Sequence, residues 1–423
     1  MNIKKEKLKN GLTKILVPMK DSPTATVLVM VNAGTRFETR ENNGVSHFLE
    51  HMCFKGTKKR PDPRDIATEL DGLGAESNAF TWYEYTGYYA KTRGENASAV
   101  LDILADIYKN SLFQAKEIKK ESGVITEEIK MYQDLPMRHV HDVFRGQLFG
   151  DQPAGWEVLG PEQVVQSLNR DAIVEYRTSL YVPEATTVIV VGGIDQDSIS
   201  KEIDKYFGDI SAGEKQTTTE AIYDNSAEVL RHQKKQSDQT HLVIGAPAIS
   251  YRDDNVPALE VLSTVLGRGM SSRLFYQLRD QMGVCYYVRS GVEYYSDSGV
   301  FKVATGVDTS RVSEVVSAIV SEIKDLRDNL VDQDELEKAK EFLAGNFMLG
   351  MESTSDIANY VGEKSVLEME LKTPEEEVAE IQKVTRDDVH RVVNKLLSPG
   401  VLKMAAIGPD VEKGEIESIL KEG

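Results

Sequence analysis

Three side chains in one short stretch, His47, Glu50 and His51, are of the types and spacing that hold a metal ion and move a proton beside it. In a helix, His47 and His51 stand one turn apart on one face, so two neutral imidazoles can grip one divalent cation. Glu50 then lies roughly 60–100° around the helix from each histidine. From there a carboxylate reaches a water on the metal without being drawn into its coordination. The order His-x-x-Glu-His is the reverse of the commoner His-Glu-x-x-His. An amphipathic helix with two half-exposed histidines would show the same five residues. The pattern therefore calls for a third ligand and a substrate-binding apparatus elsewhere in the chain.

A His, His, Glu set is a standard catalytic zinc site that leaves one position for water. The candidate carboxylates lie on a helical pattern over residues 114–133. Glu127 and Glu128 are adjacent and point about 100° apart, so only one of them can face the site. Glu121 precedes Glu128 by two turns on the same face, where it can orient a ligand; Lys120 holds that place before Glu127. We therefore expect Glu128 as ligand and Glu121 as its support, against the alternative of an acidic, solvated helix face. His139 and His141, beyond Pro136, are the competing candidates and read as surface or loop histidines.

Such side chains need rigid elements to position them. Residues 12–18 and 25–32 are rich in β-branched residues, are bounded by turn formers, and read as a strand pair. A helix is expected from Pro61 to Leu73, stopped by Gly74, and then a hairpin dense in aromatics over 75–90. Helical periodicity follows over 96–111 and 114–133, with mostly helical chain to about 180 and a buried strand over 187–193. Residues 213–225 are small and polar with little core material, and read as a linker. The second half repeats this order: a strand at 240–247, a helix from Leu274 to Met282 stopped by Gly283, an aromatic hairpin, and a strand at 402–408. The offset is about 210 residues throughout, which implies two copies of one α+β domain. The expected fold is α+β with two tandem homologous domains, 1–212 and 226–423, each a mostly antiparallel sheet with helices on one side. The second copy lacks the metal motif.

Composition narrows the function. The chain has 423 residues, too many for one ordinary core, with 28% charged and 40% apolar residues. Its net charge of −18 argues against nucleic acid as partner. No apolar run approaches the length of a membrane span, and the basic N-terminus has no apolar stretch behind it, so no secretory signal or membrane association is expected. Two distant cysteines, Cys53 and Cys285, give neither a disulfide framework nor a thiolate metal site, and a cytoplasmic location is the expectation.

Residues 47–57, His-Phe-Leu-Glu-His-Met-Cys-Phe-Lys-Gly-Thr, together with 77–81, Ser-Asn-Ala-Phe-Thr, Glu121 through Ile129, and Ser271-Ser272-Arg273-Leu274 with Arg279 and Tyr286, resemble the pitrilysin/insulinase superfamily of zinc peptidases. The likeness covers nearly the whole chain and is closest to the branch holding the mitochondrial processing peptidase β-subunit and small bacterial processing proteases. It implies one half of a clamshell peptidase and one zinc ion per chain, held by His47, His51 and Glu128. It also implies Glu50 as general base and Glu121 as supporting acid. Asn78, Ala79 and Phe80 would form an edge strand onto which substrate adds as a further β-strand, a mode that reads backbone more than side chains. Arg279 and Tyr286 would hold the substrate carbonyl, as donors suited to a developing oxyanion. Trp82-Tyr83 depart from the smaller polar residues common in the family after Thr81, which bears on side-chain preference.

Because one chain carries both the metal motif and the Arg/Tyr pair, the expected assembly is a homodimer with two complete sites acting on peptides. A heterodimer with an inactive homologue is the other assembly. The competing function is a non-catalytic peptide-binding or structural subunit, which in this superfamily loses part of the metal motif; here that motif is intact.

Overall fold

The computed structural model describes residues 1–423. Eleven strands make two sheets. The first holds β1 (Lys4–Lys7), β2 (Thr13–Pro18), β3 (Thr24–Val31), β4 (Glu76–Thr81), β5 (Thr86–Arg93) and β6 (Thr186–Gly192) in the order β1-β2-β6-β3-β5-β4. The second holds β7 (Leu230–Lys234), β8 (Thr240–Ala248), β9 (Cys285–Tyr294), β10 (Gly299–Val307) and β11 (Lys403–Gly408) in the order β7-β11-β8-β10-β9. Each sheet is antiparallel except for one pair, β2 with β6 and β7 with β11. The first half contributes helices α1 (Val45–Cys53), α2 (Pro63–Gly72), α3 (Ala97–Asn110), α4 (Ala115–Gln133), α5 (Pro136–Phe149), α6 (Glu162–Ser167), α7 (Arg170–Leu180) and α8 (Gln196–Phe207). The second contributes α9 (Val256–Gly267), α10 (Val312–Asp328), α11 (Gln333–Leu349), α12 (Thr354–Val366), α13 (Pro374–Lys383), α14 (Arg386–Leu396) and α15 (Lys413–Glu422). No helix is long and apolar enough to cross a membrane. Between α8 and β7 the chain has no helix or strand, as the polar composition of 213–225 leads one to expect.

Two local expectations are corrected. Strands β2 and β3 do not pair with each other: β6 lies between them, parallel to β2 and antiparallel to β3. All seven residues of β6 are buried, and a strand that is apolar on both faces belongs in the middle of a sheet rather than at the end of a hairpin order. The helix expected over 274–282 is wound as a π-helix, Phe275–Gln281, with Met282 N–H donating to the Gln277 carbonyl. Apolar periodicity does not distinguish one extra residue per turn, so the sequence could not show this.

The chain packs as two compact units, and these are not its two halves. The first comprises Met1–Ile129, Trp156–Thr219 and Leu349–Thr373; the second comprises Lys130–Gly155, Glu220–Met348 and Pro374–Gly423. Each sheet comes from one half, but each unit takes a helix from the other. In the first unit Val27, Val29 and Val31 of β3 enter the core with Phe48 and Leu49 of α1 and Leu101 and Leu104 of α3. The alternate residues Leu28 and Met30 face the other way, with Ile189 of β6, onto α12. In the second unit α5 lies against β8 and β11, where Gly245 leaves space for the Phe144 ring.

Close approach of α12 to the first sheet depends on Gly362. A Cβ there would meet Met30 Sδ at 2.4 Å, Leu28 Cδ2 at 3.1 Å and Ile189 Cδ1 at 3.3 Å. Overpacking of this kind costs about 1–3 kcal/mol. Gly362→Val is expected to lower the midpoint of thermal unfolding by several degrees without changing metal stoichiometry. Calorimetry with metal analysis checks both.

Candidate metal centre

Helix α1 is held at its start by a residue from outside it. The first N–H groups of a helix have no partner within it. Here the Glu38 carboxyl takes them: Gly44 N–H donates at 2.8 Å and Ser46 N–H at 2.9 Å, with the Ser46 hydroxyl and Asn43 Nδ2 on the same two oxygens. Gly44 enters at φ 97°, which only glycine adopts freely, and a Cβ there would meet the Leu159 carbonyl at 2.6 Å. Val45, Phe48, Leu49 and Met52 bury one face of the helix. That fixes its rotation and turns His47 and His51 together, with ring centroids 4.5 Å apart.

The structure brings Glu128 of α4 to both histidines. Its Oε2 is 3.8 Å from His47 Nε2 and 3.6 Å from His51 Nε2. One donor atom from each of the three residues lies within 4.8 Å of the others, and no other such group of three metal-capable side chains exists in the chain. Donors set at about 2.0–2.2 Å around a tetrahedral ion stand about 3.3–3.6 Å apart; the 3.6 Å separation meets this and the 3.8 Å one is slightly wider, and two imidazoles with a carboxylate are a donor set that suits zinc. His47 is almost fully buried, which pushes its pKa down to about 3 and leaves it neutral, the form that binds metal.

Behind His51 lies a short relay. His51 Nδ1 is 2.9 Å from Glu121 Oε1, and Glu121 Oε2 is 2.8 Å from Lys55 Nζ. Burial alone would raise the Glu121 pKa, but hydrogen bonds from His51 and Lys55 outweigh it and hold the carboxyl below its usual range. In the neutral His51 ring, an ionised Glu121 keeps the proton on Nδ1, so that Nε2 carries the free lone pair toward Glu128. Burial likewise lowers the His51 pKa, and the Glu121 hydrogen bond with the charges of Glu50, Glu121 and Glu128 raises it above its usual value. Burial raises Glu128. Glu50 is raised by burial and pulled partly back by a hydrogen bond from Thr81 Oγ1 at 2.6 Å.

The other expected site residues fall on defined elements. Asn78, Ala79 and Phe80 lie on β4, which pairs with β5 on one side only and is the open edge of the first sheet. Phe80 folds over Gly87, where a Cβ would meet its ring at 2.3 Å, and neighbours Tyr85 and Tyr89. Arg279, on the π-helix, has its guanidinium 4.8 Å from the Phe275 ring and 5.3 Å from that of Tyr286. Tyr286 is 80% exposed at the start of edge strand β9. His139 and His141, expected at the surface or in a loop, lie half-buried on α5 and belong to no metal-capable group.

Three contributors were not singled out from sequence. Lys55 had a signal, since it follows His51 by one helical turn. Thr81 ends the expected edge strand. Glu38 sits in a loop and acts on backbone N–H groups, which leave no mark in the sequence.

Fold and donor set together define a two-sheet α+β protein with a His-His-Glu group of the kind used by zinc peptidases. A sequence model described as insulinase, peptidase family M16, matches residues 14–162, and one described as the peptidase M16 inactive domain matches residues 167–343. A Bacillus subtilis protein named an uncharacterized zinc protease is 35% identical over 396 residues, 94% of this chain and 96% of its own. A Rickettsia bellii protein of the same description is 32% identical over 410 residues, 97% of this chain and 98% of its own. Among solved structures, a protease from Helicobacter pylori superposes with a TM-score of 0.89 at 22% identity, covering 96% of this chain and 99% of that one. A peptidase M16 inactive domain from Pseudomonas fluorescens superposes with the same TM-score at 18% identity, covering 97% and 99%. The chain belongs to the insulinase family of peptidases, M16. The inactive-domain model falls mainly on the half without the metal motif.

Two outcomes follow from this geometry. Lys55→Met or Glu121→Gln should weaken zinc binding by about 10–100-fold, read by competition with a chelator. Separately, burial holds the Glu38 carboxyl up at about 7 from an ordinary 4.5, despite its hydrogen bonds. Between those values the folded protein keeps a proton that the unfolded chain has lost. The stability this contributes is fully present below pH about 4.5 and disappears as pH rises through about 7. In Glu38→Gln the fall in unfolding midpoint between pH 5 and 8 should be shallower than in wild type, by calorimetry across that range.

Proposed function

We propose that this protein is a zinc-dependent endopeptidase acting on peptides or unfolded segments. The observation that carries the reading is the convergence of His47, His51 and Glu128 beside Glu50. His47, His51 and Glu128 would hold the ion, and Glu121 with Lys55 would orient His51. A zinc ion bound there supplies Lewis acidity toward the peptide carbonyl and an acidified water. Glu50, half-buried and held above the ordinary carboxyl range, accepts the proton of the attacking water and returns it to the leaving amine. The open edge of β4 offers its backbone to an extended peptide, the Ala79 N–H being held by Asn78 Oδ1 at 2.9 Å until a peptide replaces it, so Asn78, Ala79 and Phe80 bind main chain and sequence preference is broad.

Arg279 and Tyr286 are the proposed donors to the substrate carbonyl as negative charge develops on it. The pair is already gathered, with the Arg279 guanidinium between the Phe275 and Tyr286 rings and the Tyr286 side chain largely exposed. We place it in a homodimer, where the pair of one copy completes the metal centre of the other inside a closed chamber.

The test is hydrolysis of an internally quenched peptide library by purified protein, with and without chelator, beside Glu50→Gln. Wild type should cleave in a chelator-sensitive way, and Glu50→Gln should lose about 10²–10⁴-fold in kcat with zinc still bound. Bound zinc without cleavage, in a protein monomeric by light scattering, would replace the homodimer with a requirement for a different partner chain. A protein that takes up no zinc would end the ligand assignment.

A further inference from the structure

We infer that Thr81 is a positioning residue for Glu50, and that it ties the proton-transfer group to the strand that receives the substrate. The inference rests on the peptidase reading above and goes one residue beyond it.

Thr81 is the last residue of β4. Its hydroxyl donates to Glu50 Oε2 at 2.6 Å, the one hydrogen bond made to that carboxyl. The direction of this bond is settled by the neighbours. The next hydroxyl, Thr86 Oγ1, lies 3.5 Å from Thr81 Oγ1 but gives its proton to the Ala33 carbonyl at 2.9 Å. An ionised carboxylate only accepts, and at 2.6 Å it is a far nearer acceptor than Thr86 Oγ1 at 3.5 Å, so the single Thr81 proton goes to Glu50. One carboxyl oxygen is thereby fixed, and Oε1 stays without a hydrogen bond. A general base needs this division: one oxygen anchors the group and the other takes the proton.

The anchor has a specific origin. Glu50 is on α1, the helix that carries both histidines, whereas Thr81 is on the open edge strand. Thr81 pairs with Thr86 on one side through the β4–β5 ladder, while the other side of β4 is free. Because β-strand side chains alternate, Ser77, Ala79 and Thr81 share one face and Asn78 and Phe80 the other. The Phe80 face is occupied by Gly87, Tyr85 and Tyr89. Ala79 packs with the core that includes α1, so the Thr81 face is the one turned to the metal helix. A peptide added to the free edge of β4 steadies the backbone of Thr81, and through one hydroxyl it steadies Glu50. A base anchored in this way is best aligned when the strand beside it is filled, which favours chemistry on a seated peptide over idle proton exchange.

The role is chemical rather than steric, so it belongs to the hydroxyl. Valine has nearly the shape of threonine and the same preference for strands, but cannot donate; serine keeps the hydroxyl and loses the methyl. Wild type, Thr81→Val, Thr81→Ser and Glu50→Gln would be compared for kcat and KM on one quenched peptide. Zinc stoichiometry, unfolding midpoint, and affinity of the metal-free protein for a non-cleavable version of that peptide would be measured alongside. We expect Thr81→Val to lose about 10–100-fold in kcat, with KM, peptide affinity, zinc content and unfolding midpoint near those of wild type. Thr81→Ser should recover most of the loss. Full kcat in Thr81→Val, beside an inactive Glu50→Gln, would overturn the inference and leave the peptidase reading standing. A parallel fall in kcat, peptide affinity and unfolding midpoint, unrescued by serine, would show a merely structural residue. A zinc-loaded wild type that is dimeric by light scattering and cleaves nothing would remove the peptidase reading and the inference with it.

Discussion

Everything at this centre depends on one buried contact, that of Glu38 with the first turn of α1. A helix of nine residues carries both histidines and Glu50, and so short a helix has little stability of its own. Its unsatisfied N–H groups point into the protein, where each would cost about 1–3 kcal/mol if left unpaired. Glu38 takes two of them, with Asn43 and the Ser46 hydroxyl on the same oxygens, and so fixes where the helix starts. The buried face of Val45, Phe48, Leu49 and Met52 fixes its rotation. Start and rotation together decide where two imidazole nitrogens meet, and α4 needs only to bring one carboxylate to that point.

The other face of α1 is organised by charge. Lys55, Glu121 and His51 form a line of alternating sign and hydrogen bonding that ends at the nitrogen facing Glu128. The line is short: His51 comes from α1, Lys55 lies two residues past its end, and Glu121 comes from α4. The relay is therefore assembled when the helix forms and α4 docks, before any ligand arrives. Preorganisation of this kind separates a metal-capable group from three polar side chains that happen to be close.

Much of this was legible in the sequence because it is local or periodic. His47, Glu50 and His51 share a turn, and Glu128 stands out from Glu127 because Glu121 lies two turns behind it on the same face. The repeat of strands and glycine-stopped helices across the halves showed two α+β copies. What escaped was what periodicity cannot encode. An apolar stripe says that a helix is buried on one side but not on which sheet, so α5 and α12 read as ordinary members of their own halves. A strand buried on both faces does not name its neighbours, so β6 was not foreseen between β2 and β3. A loop acid that caps a distant helix, such as Glu38, looks like any other acid. The roles of Arg279 and Tyr286 rest on the family resemblance; their stacking was visible only in three dimensions.

The exchange of helices between the halves has a consequence for the newborn chain. The first sheet is complete once β6 has emerged, near residue 192, but one of its faces, with Leu28, Met30 and Ile189, waits for α12, which begins at Thr354. Throughout the synthesis of the intervening stretch that face has no cover of its own, and an uncovered apolar sheet is the species most open to wrong association. The N-terminal half carries every metal-capable residue of the centre, yet one face of its sheet is covered only by a helix of the other half. A ribosome finishes most of the second half before that cover exists.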